Sequence, residues 1–159
     1  ENMVKNEVKA KAKNKQDKAI RRRWGGNIID AGNGWTAVPN ILIERQQALK
    51  IDPVKMNIIL VLLKHWWKKD DKPYPGKKTI ADIIGRDVDT VRKHLKQLED
   101  RKLISREPRF FPSEKGGGQT TNEYNLQGLI DKLSDLSDRA IADDAKHHDD
   151  ESRKRRGHV

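Results

Sequence analysis

Residues 79–101, TIADIIGRDVDTVRKHLKQLEDR, predict two helices joined by a tight turn. The first helix is Thr79–Ile84, and it ends at Gly85, a residue type that commonly stops a helix. The second is Asp87–Arg101, in which the aspartate can accept hydrogen bonds from the first amides of the helix. A short helix, a tight turn and a longer helix are therefore expected in this order.

The second helix has two unlike faces. At 100° per residue, one face carries only apolar side chains: Val88, Val91, Leu95 and Leu98. The opposite face is polar, with Asp89, Lys93, Lys96, Gln97 and Asp100 at its centre and Thr90 and Arg92 on its flanks. Such a face can meet solvent, which is the commoner case, or the major groove of DNA. In the groove, Lys and Arg contact phosphates or guanine, and Gln97 can pair with adenine.

Composition favours a polyanionic partner. The chain of 159 residues has 34 Lys and Arg against 24 Asp and Glu, which gives a formal net charge of +10. Nucleic acid is the first expectation for such a charge, and an anionic membrane surface is the second. The length suffices for one domain with a hydrophobic core and charged tails.

Several kinds of site are excluded or have no support in the sequence. The chain has no cysteine, which excludes disulfides, thiol catalysis and Cys-ligated zinc fingers. The longest apolar run, Ile58–Leu63, is too short to span a bilayer, and no signal peptide is evident, so we expect a cytoplasmic, nucleoid-associated protein. The acid-flanked His147-His148 pair lies in a charged segment typical of a solvated tail. No pattern indicates an enzyme active site, a metal site, a cofactor or a small-molecule ligand.

Composition also divides the chain into segments. Residues 1–23 are rich in Lys and Arg and poor in apolar side chains, so they are predicted to form a basic flexible arm that can become helical when bound. Residues 24–126 are predicted to be the folded domain. Residues 127–145 are predicted to form a C-terminal helix, and residues 146–159 a charged flexible tail.

The domain is expected to open with helices. Pro39–Lys50 predicts a short helix, since proline suits a first helical turn. The next helix begins after Asp52, a suitable cap, and its run Ile58–Leu63 is apolar on all sides, as in a buried central helix. Trp66 and Trp67 are expected to end this helix, at the core and its edge, with Lys68 and Lys69 following at its negative end.

The domain is expected to close with a hairpin. Alternating apolar and polar residues predict strands at Leu103–Glu107 and Thr121–Leu126, and the intervening residues 108–120 form a loop rich in glycine. The pair Phe110-Phe111 in this loop can pack on the core, pack on a partner subunit or touch DNA, and packing is the favoured interpretation.

The segment IADIIGRDVDTVRKHLKQLEDRKLISRE resembles the central part of bacterial winged helix-turn-helix proteins. Their pattern "IA…LG…S…TV…L…LE…GLI.R" is matched at Ile80-Ala81, Ile84-Gly85, Thr90-Val91, Leu95, Leu98-Glu99, Leu103-Ile104 and Arg106. The lead-in and the closing stretch QTTNEYNL extend the resemblance over Trp35–Leu126, as in phage and plasmid replication initiators and small transcription regulators. It implies a mainly α fold with a small β-hairpin, a winged helix-turn-helix with an added C-terminal helix.

Two positions depart from that pattern. Lys102 stands where glycine is usual, and a left-handed lysine at a helix end costs about 1 kcal/mol that glycine does not. Asp87 stands where serine usually opens the second helix, but aspartate caps a helix equally well. The start of the helix is therefore expected to be kept.

The resemblance and the charge together imply double-stranded DNA as the partner. Helix 87–101 is expected to enter the major groove, and the loop 108–120 is expected to act as the wing on the backbone. The predicted DNA contacts are Lys77, Lys78, Thr79, Asp89, Thr90, Arg92, Lys93, Lys96, Gln97, Arg106, Arg109, Lys115, Arg21, Arg22 and Arg23.

A stripe of apolar residues follows the hairpin at spacings of three and four: Leu126, Leu129, Leu133, Leu136 and Ala140. The stripe can fold back on its own domain or pair with a second copy. We expect a homodimer that uses Leu129, Leu133, Leu136 and Ala140, since two-fold pairing presents two recognition helices to adjacent half-sites.

The biological role has more than one reading. A transcription regulator needs only such a domain and a dimer, so it is the first expectation. A plasmid or phage replication initiator that binds an origin is the alternative, and a winged-helix adaptor that binds an acidic protein is a third. RNA binding is weaker, because no exposed aromatic stacking motif of the usual RNA modules is evident.

Overall fold

The computed structural model describes the backbone of residues 15–156, and the side chains of 15–143 and 146. The predicted arm therefore lies partly outside the described residues, as do the side chains of His147-His148 and the last residues of the predicted tail. The chain divides into two compact units, Glu1–Thr36 and Ala37–Val159. The domain was predicted to begin at residue 24, whereas the first unit continues to Thr36.

The first unit contains two helices in its described part. Residues 15–24 form α1, and α2 is Gly26–Ala31. Arg21 joins them, because its guanidinium lies 3.0 Å from the Asp17 carboxylate and 2.9 Å from that of Asp30. Hydrogen bonds to Asp30 and Asp17 raise the pKa of Arg21. Residues 15–23 of the predicted arm are thus helical in the unbound chain.

The second unit is mainly helical and has one two-stranded antiparallel sheet. Its elements are α3 Asn40–Glu44, α4 Pro53–His65, α5 Lys77–Ile84, α6 Val88–Asp100, β1 Ser105–Phe110, a 3-10 turn Ser113–Lys115, β2 Gln119–Asn125 and α7 Gln127–Arg156. The predicted winged helix-turn-helix fold with an added C-terminal helix is confirmed. In the described part of the chain, no helix is both long and apolar enough to cross a membrane.

Helix α4 is the central helix of this unit. The Asp52 carboxylate accepts a hydrogen bond of 2.9 Å from the amide of Lys55 and caps the helix, as predicted. Ile58, Ile59 and Leu62 are completely buried. The core formed around them also takes up the apolar face of α6, where Val91, Leu95 and Leu98 are buried and Val88 packs at the edge.

The end of α4 differs from the prediction. The helix stops at His65 because Trp66 adopts an extended conformation, so Lys68 and Lys69 lie in the following turn and not at the helix end. The side chain of Trp66 packs against the core, but Trp67 is 74% exposed and is not at the core edge. Helix α3 is also shorter than predicted and ends at Glu44.

The turn between α5 and α6 follows the sequence closely. Gly85 ends α5 in the left-handed conformation, with φ 68°. Asp87 then caps α6, since its carboxylate accepts hydrogen bonds of 2.7 Å from both the amide and the hydroxyl of Thr90. These bonds from the Thr90 side chain and backbone lower the pKa of Asp87.

The far end of α6 shows why Lys102 can replace glycine. Lys102 is left-handed, with φ 58°, the conformation whose cost was considered above, and the amide of Leu103 donates to the Leu98 carbonyl at 3.0 Å to close the helix. Helix α7 starts against this turn, because the amide of Leu129 donates to the Leu103 carbonyl at 2.8 Å. A Cβ atom on Gly128 would lie 2.0 Å from the Lys102 carbonyl oxygen, so only glycine fits there.

We call the hairpin Ser105–Asn125 the wing. Both strands are displaced from their predicted positions, because Leu103 and Ile104 are buried in the helix-ending turn and pairing begins at Ser105. The tip therefore spans only residues 111–118. The amide of Tyr124 donates to the Pro73 carbonyl at 2.8 Å, so the segment before α5 lies along β2. Pro73 and Pro75 have no backbone N–H groups, so they cannot donate to a ladder of hydrogen bonds with β2.

Helix α7 is longer than predicted. It runs to Arg156, so residues 146–156 of the predicted tail have a helical backbone. Its first turns belong to the core of this chain, where Leu129 and Leu133 are buried and Leu136 packs at the edge. The start of the stripe thus folds back on its own domain. Leu129 and Leu133 were predicted to form a dimer surface, but they are buried in the core and are not free to do so.

Candidate nucleic-acid interface

The outward face of α6 lies opposite the buried stripe and carries three exposed basic and two exposed acidic side chains. Arg92 pairs with Asp89, one turn earlier, and Lys96 pairs with Asp100 at 3.3 Å. Lys93 is exposed and forms no ion pair with any described residue. Because pairs this exposed contribute little to stability, their cations can exchange a carboxylate for a phosphate at small cost.

Two polar residues of α6 are less available than the sequence predicted. The hydroxyl of Thr90 donates to the capping carboxylate of Asp87 at 2.7 Å, and the side chain is half-buried. Gln97 is also half-buried. The most accessible cations of this face are therefore Arg92, Lys93 and Lys96.

The start of α5 lies beside the wing. Lys77 and Gly76 line a surface cavity of about 330 Å³ together with wing residues 119–122. Lys78 and Thr79 are exposed, and Lys78 pairs with Asp82 at 2.9 Å. A helix start carries partial positive charge and unpaired amides, so this junction can accept a phosphate group.

Arg109 is the cation that the wing holds in place. Its guanidinium stacks on the Tyr74 ring, 3.8 Å from the ring centre, and donates to the Thr121 hydroxyl at 3.2 Å. Lys115 is exposed in the short turn at the wing tip. Arg109 and Lys115 thus lie on the wing, from which they were predicted to contact DNA.

Residues 50–104 match a family model described as a helix-turn-helix domain. They form a helix-turn-helix domain. The match covers α4, α5 and α6 and stops at the first residues after α6, so it includes the outward face described above. The comparison with curated proteins found no match for this chain. DNA binding is accordingly the general function of the domain.

One predicted DNA contact, Arg106, has another role in the structure. Arg106 donates to the Glu99 carboxylate, and its side chain is 19% exposed. The hydrogen bond to Glu99 raises the pKa of Arg106. Arg106 therefore ties β1 to the end of α6 and is not presented to DNA.

Phe110 and Phe111 do not pack on the core of this chain, so of the two kinds of packing that were favoured only packing on a partner subunit stays a prediction. Phe110, the last residue of β1, is 64% exposed, and Phe111 is 50% exposed. The domain core is instead completed on the wing side by Tyr124, which is almost fully buried. The two phenyl rings are left at the surface of the wing.

Sequence reasoning missed Lys72 and Tyr74, which contact charged residues of the wing. Glu107 and Glu123 face each other across the strands, and the ammonium group of Lys72 lies 3.1 Å from each carboxylate. Hydrogen bonds to Glu107 and Glu123 raise the pKa of Lys72. Like charges in directly opposed positions repel, so a cation there is favourable. Lys72 lies outside both strands, and only the folded chain brings it to the two carboxylates.

The arginines of the basic arm lie in the first unit, outside the helix-turn-helix domain. The guanidinium of Arg21 already forms ion pairs with Asp17 and Asp30. Arg22 and Arg23 are exposed on α1. Of the three, Arg22 and Arg23 are the ones available for an external partner.

Proposed function

We propose that this chain binds specific sequences in double-stranded DNA and acts as a transcription regulator. In this proposal α6 enters the major groove and the wing lies on the sugar-phosphate backbone. The observation that carries it is the division of α6 into an apolar face, on which Val91, Leu95 and Leu98 are buried, and an exposed face with Arg92, Lys93 and Lys96. The matched helix-turn-helix domain supports DNA binding in general.

Charge supports a large electrostatic share in binding. The net charge is +10, and the start of α5, the outer face of α6 and the wing all carry exposed lysine or arginine. Each phosphate that a cation neutralises releases condensed counterions, so affinity should fall steeply with salt. An affinity that does not change with salt concentration would contradict this account.

We propose further that two copies bind together. Leu136 and Ala140 lie beyond the buried start of the α7 stripe and are half-buried in the single chain, and Ile141 is 65% exposed. Pairing of this outer part of α7 would cover these side chains. A two-fold dimer would present two copies of α6 to half-sites about one DNA turn apart.

The decisive experiment selects duplexes from a random-sequence pool with the full chain and then footprints the selected sequence on DNA. Enrichment of a palindromic site near promoters supports a regulator. Repeated sites within an origin support a replication initiator instead. Absence of any enriched sequence, together with no shifted band on genomic fragments, would contradict DNA recognition and favour the protein-binding adaptor.

The face of α6 is tested by the double variant Arg92→Ala, Lys93→Ala. Loss of a base-reading contact costs about 1–3 kcal/mol, so affinity for the selected duplex should fall roughly tenfold or more. The matched control is Lys68→Ala, Lys69→Ala, which removes the same charge from an exposed turn. Equal losses in the two double variants would mean that only net charge matters and that α6 is not the reading face.

A further inference from the structure

The turn between α5 and α6 contains an exposed arginine, Arg86, which forms no ion pair with any described residue. Its backbone is held in place, because its amide donates to the Ala81 carbonyl of α5 at 3.0 Å. A Cβ atom on the preceding Gly85 would meet no other atom within 4 Å, so the turn is not covered there. The turn therefore carries a free cation on a fixed and open stretch of backbone.

The acids near this turn are already engaged. Residues 79–91 contain three aspartates, and Arg86 is the only cation among them. Each aspartate has another partner in the described part of the chain: Lys78 for Asp82, Thr90 for Asp87 and Arg92 for Asp89. The charge of Arg86 is thus left for a partner from outside the chain.

Local stability does not explain an arginine at this position. Arg86 is the second residue after α5, where an apolar side chain often packs back on the finished helix. It is also the residue before the cap of α6, where an apolar side chain often packs on the helix that follows. The dipoles of the two helices act on a cation there in opposite directions, so neither effect favours a charge.

The place of Arg86 in the helix-turn-helix domain favours contact with a base. In such domains the first residues of the second helix approach base edges, while the first helix crosses the backbone. Asp87 and Asp89 in this region repel phosphates, so the start of α6 suits base edges better than the backbone. Guanine presents two acceptors, O6 and N7, in the major groove, and the planar guanidinium group matches both.

We propose that Arg86 is a specificity-determining residue that reads a guanine in the major groove. The proposal rests on the proposed function, in which α6 enters that groove, and it extends the reading surface from α6 into the preceding turn. The contacts predicted from the sequence include no residue of this turn. The sequence signal was the single cation among the three aspartates of residues 79–91.

The test uses the full chain and the duplex that it selects from a random-sequence pool. Arg86→Ala should lower the ratio of affinities for the selected and a scrambled duplex about tenfold, the value of one bidentate base contact. Each guanine of the selected duplex is then replaced in turn by 7-deazaguanine, which lacks the N7 acceptor. One replacement should weaken binding by wild-type protein and leave binding by Arg86→Ala unchanged, because the variant no longer uses that atom.

Arg45→Ala is the matched control, since it removes an exposed arginine outside the matched residues 50–104, and it should keep the wild-type ratio. Equal losses of Arg86→Ala on both duplexes, with a salt slope lower by about one, would indicate a phosphate contact and overturn the proposal. A lower urea midpoint of Arg86→Ala with an unchanged ratio would also overturn it, because the arginine would then serve the fold.

The proposal and the proposed function can fail separately. If the pool yields no selected sequence, the proposed function itself fails. If a sequence is selected and Arg86→Ala keeps the wild-type ratio, only the role of Arg86 is refuted.

Discussion

On the outward face of α6, two acids each hold a neighbouring cation in the unbound protein. Asp89 pairs with Arg92 and Asp100 with Lys96, and all four side chains are well exposed. The pairs differ in position, because Asp89 lies in the first turn of α6 and Asp100 is its last residue. The first turn of a recognition helix is the part that approaches base edges, so Asp89 is the acid placed to influence sequence choice.

We predict that Asp89→Ala binds DNA more tightly but less selectively. Removing the carboxylate relieves repulsion by phosphates, and it also removes an acceptor for a cytosine amino group and a neighbour that orients Arg92. The ratio of affinities for the selected and a scrambled duplex should fall about fivefold, the value of one modest base contact. Asp100→Ala removes the same charge from the same face and should leave that ratio unchanged. An unaltered ratio in Asp89→Ala would restrict Asp89 to a favourable interaction with the helix dipole.

At the scale of the elements, the contact between the α6 end and the α7 start fixes the position of the last helix. The Lys102 carbonyl occupies the space that a side chain on Gly128 would need. The ammonium group of Lys132 then donates to the Arg101 carbonyl at 2.6 Å. Both contacts use the polar backbone that α6 exposes where it ends, so α7 completes the capping of α6.

Gly128→Ala is therefore predicted to destabilise the domain. The new methyl group would overlap the Lys102 carbonyl oxygen, and displacement of α7 should cost about 1–3 kcal/mol, as for other overpacked sites. Urea unfolding followed by circular dichroism measures the loss as a lower midpoint. Ser134→Ala, an exposed position on the same helix, is the control and should change the midpoint little. A midpoint equal to wild type in Gly128→Ala would show that α7 can shift without loss.

The elements also show where sequence patterns are informative. Helix α6 and its cap were predictable, because the spacing of Val91, Leu95 and Leu98 and the residue before them are local features. The hairpin of the wing was predictable too, but the bounds of its strands were not, since Leu103 and Ile104 continue an alternating pattern that the helix-ending turn interrupts. Arg106 was wrongly predicted to contact DNA for a related reason. Its partner Glu99 comes close to it only because the chain turns back at the end of α6.

For the whole molecule, the length of α7 favours a role beyond stabilising one domain. Among the residues of α7 whose side chains the structure describes, Leu133 is the last buried one, yet the helix continues to Arg156. In water, an isolated helix end gains little from propensity alone, and most helical stability comes from packing of an apolar face. A second copy of α7 is a partner that would supply such packing along Leu136 and Ala140.

We predict that Ala140→Glu converts a dimer into a monomer. The glutamate would place a charge in the centre of the proposed contact, while its distance from the buried core spares the fold. Sedimentation should give half the wild-type mass, and affinity should fall for a duplex with two half-sites but not for a single half-site. Ser134→Glu adds the same charge on another face of α7 and should remain dimeric with unchanged DNA affinity. Wild-type protein that sediments as a monomer at micromolar concentration would contradict the dimer, and recognition would then have to be achieved by one α6 and one wing.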